Sequence, residues 1–170
     1  MRTIVYILTF VSLCSCLASC HRQRPQLPSN KRSEDTTAVA LINARRQLVE
    51  ATDREITQFM TTQDSTFVLN DLGFWYQITS RSSLPRFLNN ESVELSLREY
   101  DLQGRLLSDI HTTIVIGKRQ ETLVVDEALL LMRHGEKARI IAPWYLAYDQ
   151  AGNDIIPPYT NLIIDIQTHE

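Results

Sequence analysis

The sequence predicts an α+β domain, and three observations lead to it. A helical period runs through residues 36–62, and alternating apolar and polar residues then mark several strands closed by turn residues. One short helix comes late, with two more strands after it. A composition of 44% hydrophobic and 22% charged residues over 170 positions is that of one packed domain with appendages.

The N-terminus differs in kind. Met1 and Arg2 open it, Thr3 to Cys16 is almost unbroken apolar sequence, and Leu17-Ala18-Ser19 leads to Cys20. Residues 1–19 have the pattern of a secretion signal, too short for a comfortable membrane span. Leu17-Ala18-Ser19-Cys20 resembles a bacterial lipobox, which implies lipid attachment at Cys20 and a membrane-anchored lipoprotein facing the periplasm. The alternative is a plain signal peptide cut near Ala18. Cys14, Cys16 and Cys20 are the three cysteines, so the mature domain would hold none for a disulfide, a metal or thiol catalysis. Acidic residues outnumber basic ones, 20 to 17, and loss of Arg2 with the signal widens the excess. Nucleic acid is therefore disfavoured as a partner.

Residues 20–35 are polar with two prolines and no apolar period, as in a flexible tether. Thr36 or Thr37 then caps a helix over 36–62, whose apolar positions are Ala38, Leu41, Ile42, Leu48, Val49, Ile56, Phe59 and Met60, with gaps at Arg45 and Thr52. Such a helix either lies against its own domain or makes a homodimer. Strands are expected over 66–70 and 74–79, divided by Asn70-Asp71-Leu72-Gly73, with Phe74, Tyr76 and Ile78 on one face.

The stretch from Ser80 to Ser92 reads as loop. Val93 to Leu97 alternates strictly and passes through Asp101-Leu102-Gln103-Gly104 into a hairpin closing on Leu106 and Leu107. A strand over 112–116 follows, with Thr112, Ile114 and Ile116 inward. The late helix is expected over 126–133, opening with Asp126 and Glu127 where the dipole favours acids and stopped by Gly135. Ala138, Ile140 and Ala142 mark the next inward face. After a crossing with Pro143, Gly152, Pro157 and Pro158, the last strand alternates Leu162, Ile164 and Ile166 with Ile163, Asp165 and Gln167.

Within this order, Met132-x-x-Gly135-x-x-Ala138, Pro143-x-x-Leu146-Ala147-Tyr148 and Ile156-Pro157-Pro158-x-x-x-Leu162-x-x-Asp165 resemble the FKBP family of peptidyl-prolyl cis-trans isomerases. The resemblance extends upstream to about Phe67, and the layout as a whole resembles the FKBP-like lipoproteins of gliding bacteria. It implies an FKBP-like domain over 66–170, with an antiparallel sheet wrapped around the short helix, and a protein that assists folding of exported chains.

It also implies a chemistry. An X-Pro bond prefers trans by only about 0.5–1 kcal/mol, yet rotation faces a barrier of about 18–20 kcal/mol. Lowering that barrier takes an apolar grip on the proline ring and donors placed for the twisted amide, with no cofactor or metal. By resemblance, Tyr148 is the hydroxyl donor to the substrate carbonyl, Ile156 an apolar wall, and Thr122 the position whose backbone N–H meets the ligand. Leu97, Leu107 and Ile164 stand where the family has aromatic residues, and Val125 where it has the tryptophan that floors the pocket. Ser108 replaces an aspartate, with Asp109 one step late, and Asn153 lies near the histidine of the flap.

A pocket without the indole should be shallower. Proline-containing polypeptides are the implied substrates, and a catalytically degenerate binding or chaperone-like module is the alternative. The alternative for Tyr148 is a buried tyrosine serving the fold. The four histidines show no metal-ligand spacing, and Ser108-Asp109-x-His111 would put its side chains on opposite strand faces.

Overall fold

The computed structural model describes residues 31–63 and 66–169, with side chains from Thr36 onward. The expected signal peptide, Cys20 and most of the expected tether lie outside the described residues. The chain divides between Ala44 and Arg45 into two compact units. Helix α1 (Lys31–Met60) contributes to both.

The helix begins five residues before the expected position 36, so the end of the expected tether is helical. The physical reason is plain: between Pro28 and Thr36 there is neither proline nor glycine to stop it. In the first unit Val39, Leu41 and Ile42 are exposed. In the second, Thr52 and Ile56 are buried. Thr52, which reads as a gap in the apolar stripe, thus belongs to the packed face.

Six strands are assigned among the described residues: β1 (Val68–Leu69), β2 (Trp75–Ser80), β3 (Ser92–Asp101), β4 (Leu106–Val115), β5 (Lys137–Ala142) and β6 (Leu162–Thr168). They form one sheet in the order β1-β2-β5-β6-β3-β4, antiparallel throughout. Helix α2 (Leu123–Leu131) follows β4. Strands β3 and β4 are longer than the sequence suggests, and the hairpin arm and the expected 112–116 strand are one continuous β4. The Asp101 carboxylate makes this hairpin by accepting the N–H groups of Gln103 at 3.1 Å and Arg105 at 2.9 Å.

Helix α2 starts at Leu123 and ends at Leu131, which corrects the expected 126–133 at both ends. Asp126 does not stand at an open terminus. It is buried in the first turn, and its Oδ2 accepts the Arg119 N–H at 2.9 Å. Met132 leaves the helix in an extended conformation, and Arg133 bridges to Arg86. Gly135, at φ 74°, therefore turns the chain into β5 rather than capping the helix.

One face of the sheet closes over α2. Leu95, Leu97, Ile140, Ile164 and Ile166 from the strands meet Val124, Val125, Ala128 and Leu129 from the helix in a single buried cluster. The parity of each strand decides which residues take part. On β6, Leu162, Ile164 and Ile166 are buried while Ile163, Asp165 and Gln167 are only partly so.

Candidate functional site

The middle of β3 positions the site. Along this strand Val93, Leu95, Leu97, Glu99 and Asp101 share the inward parity, and all are buried. Glu99 lies opposite Ser108 on β4 and opposite Ile164 on β6, and Ile164 in turn lies opposite Ile140 on β5. A carboxylate is thereby held in the centre of an apolar sheet face. It is 1% exposed.

The residues singled out by resemblance converge here. Leu97, Val125, Ile156 and Ile164 belong to one buried cluster, and Leu107 and Tyr148 pack against it while staying partly open to solvent. Thr122 is the residue capping the N-terminus of α2, buried, with a hydroxyl that makes no capping bond. The four apolar residues are buried in the cluster, and Leu107 and Tyr148 are among the partly buried residues packed around it.

The Tyr148 hydroxyl donates to the Glu99 carboxylate, at 3.0 Å to Oε1 and 3.2 Å to Oε2. Burial pushes the Glu99 carboxyl above the ordinary carboxylate range. The Tyr148 hydrogen bond opposes that rise, the nearby Glu121 charge adds to it, and the Ser108 hydroxyl opposes it again. Burial, and then the Glu99 charge, push the Tyr148 phenol well above its usual value. Burial also raises the carboxyl of Glu121.

Sequence reasoning missed Glu99 and Glu121. The signal for Glu99 was present, since it falls on the same parity as Val93, Leu95 and Leu97 in a strictly alternating strand.

The neighbouring positions show how much one step of register decides. Ser108 is buried beside Glu99, whereas Asp109 faces the other side of the sheet and pairs with Arg98 at 3.2 Å. Asp109 therefore cannot stand in for the aspartate that the family carries at the Ser108 position. On that outer face the Ser96 hydroxyl lies 3.1 Å from His111 Nδ1 and 2.9 Å from His169 Nε2, and His111 Nε2 meets Glu94 at 2.7 Å. This set has the residue types of a hydrolase. It lies on paired strands, so the backbone N–H groups around Ser96 are engaged in the ladder rather than grouped as an oxyanion hole.

Tyr148 is presented by the crossing between β5 and β6. Trp144 to Leu146 form a 3₁₀ turn in which the Trp144 N–H donates to Asn161 Oδ1 at 3.0 Å. The Trp144 indole N–H reaches Thr52 Oγ1 at 2.7 Å, and Asn161 Nδ2 donates to Glu55 at 2.9 Å. Tyr145 donates to Asp53 at 2.9 Å, and burial followed by that contact pushes its phenol up to about 12. Beyond Tyr148, its carbonyl accepts the Gly152 N–H at 3.0 Å. Asn153 Oδ1 accepts the N–H groups of Ile155 at 2.8 Å and Ile156 at 2.6 Å. Asn153 thus shapes the turn that carries Ile156 into the cluster.

A six-stranded antiparallel sheet closed over one short helix, with a partly buried tyrosine packed against its apolar interior, defines an FKBP-like α+β domain. Residues 99–169 match the FKBP-type peptidyl-prolyl cis-trans isomerase family. The match covers the part of the chain from the end of β3 through β6.

Solved structures agree on the fold. The peptidyl-prolyl cis-trans isomerase from Pseudomonas syringae is similar over 71% of this chain and 93% of its own, with 21% identity and a TM-score of 0.61. FkpA from Escherichia coli is similar over 97% of this chain and 81% of its own, with 16% identity and a TM-score of 0.62. The N-terminal domain of FKBP42 from Arabidopsis thaliana covers 63% of this chain and 92% of its own, at 21% identity and a TM-score of 0.56. No curated protein matches the sequence.

Proposed function

We propose that this protein is a peptidyl-prolyl cis-trans isomerase of the cell envelope, acting on exported polypeptides through an apolar site with Tyr148 as its donor. The family match over residues 99–169 supports the reaction class. One observation carries the assignment of the site: Tyr148 is partly buried and packs against the cluster that contains Leu97, Val125, Ile156 and Ile164. In this reading the proline ring enters over Leu107 and Tyr148 and displaces the cluster's outer contacts. The phenol then donates to the carbonyl of the twisting amide, and the N–H of Thr122 holds the chain beside it. Stabilising the twisted amide more than the planar one is the whole of the catalysis.

The test is acceleration of isomerisation in Ala-Leu-Pro-Phe and Ala-Ala-Pro-Phe peptides, with Tyr148→Phe alongside. Acceleration that falls in Tyr148→Phe supports the reading, and equal rates at every pH would remove Tyr148 from the reaction.

A second reading, a binding or chaperone-like module without catalysis, is favoured by the complete burial of Leu97, Val125, Ile156 and Ile164. It predicts suppression of aggregation with no proline-dependent rate.

The lipobox-like Leu17-Ala18-Ser19-Cys20 supports anchorage at a membrane through lipid on Cys20, facing the periplasm. Incorporation of labelled palmitate that disappears in Cys20→Ser is the expected result. The exposed Val39, Leu41 and Ile42 support a homodimer through the N-terminal helix, which sedimentation of the wild type against an Ile42→Glu variant would test.

A further inference from the structure

A phenol has one proton to give, and here the Tyr148 hydroxyl gives it to Glu99, within reach of both carboxylate oxygens. A donor so engaged has nothing left for a substrate carbonyl. The groups that face Glu99 are Tyr148 from the β5–β6 crossing, Ser108 from β4, Ile164 from β6 and Glu121 from the segment before α2. Among the described residues no cation pairs with it. A carboxylate that is 1% exposed and lacks a counter-charge is poised to be neutral, and its protonation state decides what its partner can do.

We propose that Glu99 is a positioning residue for the isomerase reaction, because it sets the direction of the Tyr148 proton. As a carboxylate it accepts that proton and withholds it from the substrate. As a carboxylic acid it donates to the phenol oxygen, and the Tyr148 O–H turns outward to the carbonyl of the rotating amide. Glu99 takes up one proton from solvent, forming one carboxyl O–H bond at the expense of one in the solvent donor; every other change is a hydrogen bond made or broken. The inference rests on the reading of Tyr148 as the donor.

Three physical effects work in the same direction. Burial and the neighbouring Glu121 both favour the neutral acid. Two O–H groups in series polarise one another, so the neutral acid also makes Tyr148 a stronger donor. A substrate lying over Tyr148 removes further water from both carboxyls, so binding itself promotes proton uptake.

The experiment is the pH dependence of peptide isomerisation by the full chain, its Glu99→Gln and Glu121→Gln variants, and Tyr148→Phe, each checked for folding by circular dichroism. Wild-type kcat should rise as pH falls, with little change in KM. Glu99→Gln, whose amide can donate to the phenol as the neutral acid does, should be faster by about tenfold near pH 8 and should lose the pH dependence. Glu121→Gln removes a charge that favours the neutral acid, so its profile should move to lower pH.

A flat wild-type profile overturns the positioning role whatever Glu99→Gln does. So does a folded Glu99→Gln no faster than wild type while Tyr148→Phe is slower. Absence of any acceleration by wild type and Glu99→Gln at every pH overturns the isomerase reading itself and the inference with it.

Discussion

The indole N–H of Trp144 donates to the hydroxyl of Thr52 at 2.7 Å, with both residues buried and 92 positions apart in sequence. This bond ties the second half of α1 to the crossing that presents Tyr148 four residues later. Thr52→Val keeps the shape and removes the acceptor, leaving a buried indole N–H unpaired. The expected cost is about 1–3 kcal/mol in urea denaturation, with Thr52→Ser close to wild type. Equal midpoints for wild type and Thr52→Val would show that the bond adds nothing.

Glu99 makes stability depend on pH with a definite sign. Its carboxyl is raised in the fold, so the folded state binds the proton more tightly than the unfolded chain does. Its contribution is therefore fully present below the ordinary carboxylate value and is lost as pH rises through the raised folded value. Glu99→Gln, which cannot ionise, should melt higher than wild type near pH 8, with the gap closing toward about pH 4. A change of about 1 kcal/mol would appear as roughly 3–5 °C in a domain of this size. A gap that widens on acidification would contradict the sign.

Tyr148→Phe removes the hydroxyl that lies against the Glu99 carboxylate. The variant should lose on the order of 1–3 kcal/mol near pH 8, because a buried carboxylate then lacks a donor, and less at low pH where the neutral acid needs one less. In the Glu99→Gln background the same change should cost less. A double-mutant cycle measures the difference, and additive effects would mean the two side chains do not interact energetically.

These three cases also show what was legible beforehand. The inward sets on β5 and β6 could be read from parity, because period-2 alternation and turn residues are local signals, whereas Leu97, Val125, Ile156 and Ile164 were grouped only by resemblance to the FKBP family. The ends of α2 could not. Asp126 and Gly135 have the chemistry of helix termini, but a bridge between Arg86 and Arg133, remote in sequence, ended the helix early. Glu99 was passed over for a different reason: its parity points inward, but its charge reads as a surface residue until Ser108, Ile164 and Tyr148 are seen around it. The same holds for Thr52, whose partner is on another element.

Two glycines with similar backbones should respond differently to a methyl group. Gly104 in the β3–β4 turn has φ 80° and open space around an added Cβ, so Gly104→Ala meets only the left-handed conformation, at roughly 1–2 kcal/mol. Gly152 has φ 64°, and a Cβ there would lie 2.4 Å from the Ile156 carbonyl oxygen and 2.8 Å from the Pro158 nitrogen. Those are backbone atoms of the turn that holds Ile156 in the cluster, and they cannot move aside as a side-chain tip would. Gly152→Ala should therefore cost more than Gly104→Ala, by about 1–3 kcal/mol. It should also disturb Tyr148, whose carbonyl accepts the Gly152 N–H. Denaturation midpoints of the two variants, with the ring resonances of Tyr148 followed by NMR, separate the cases. Equal midpoints and an unmoved Tyr148 would show that the crossing relaxes around the methyl group.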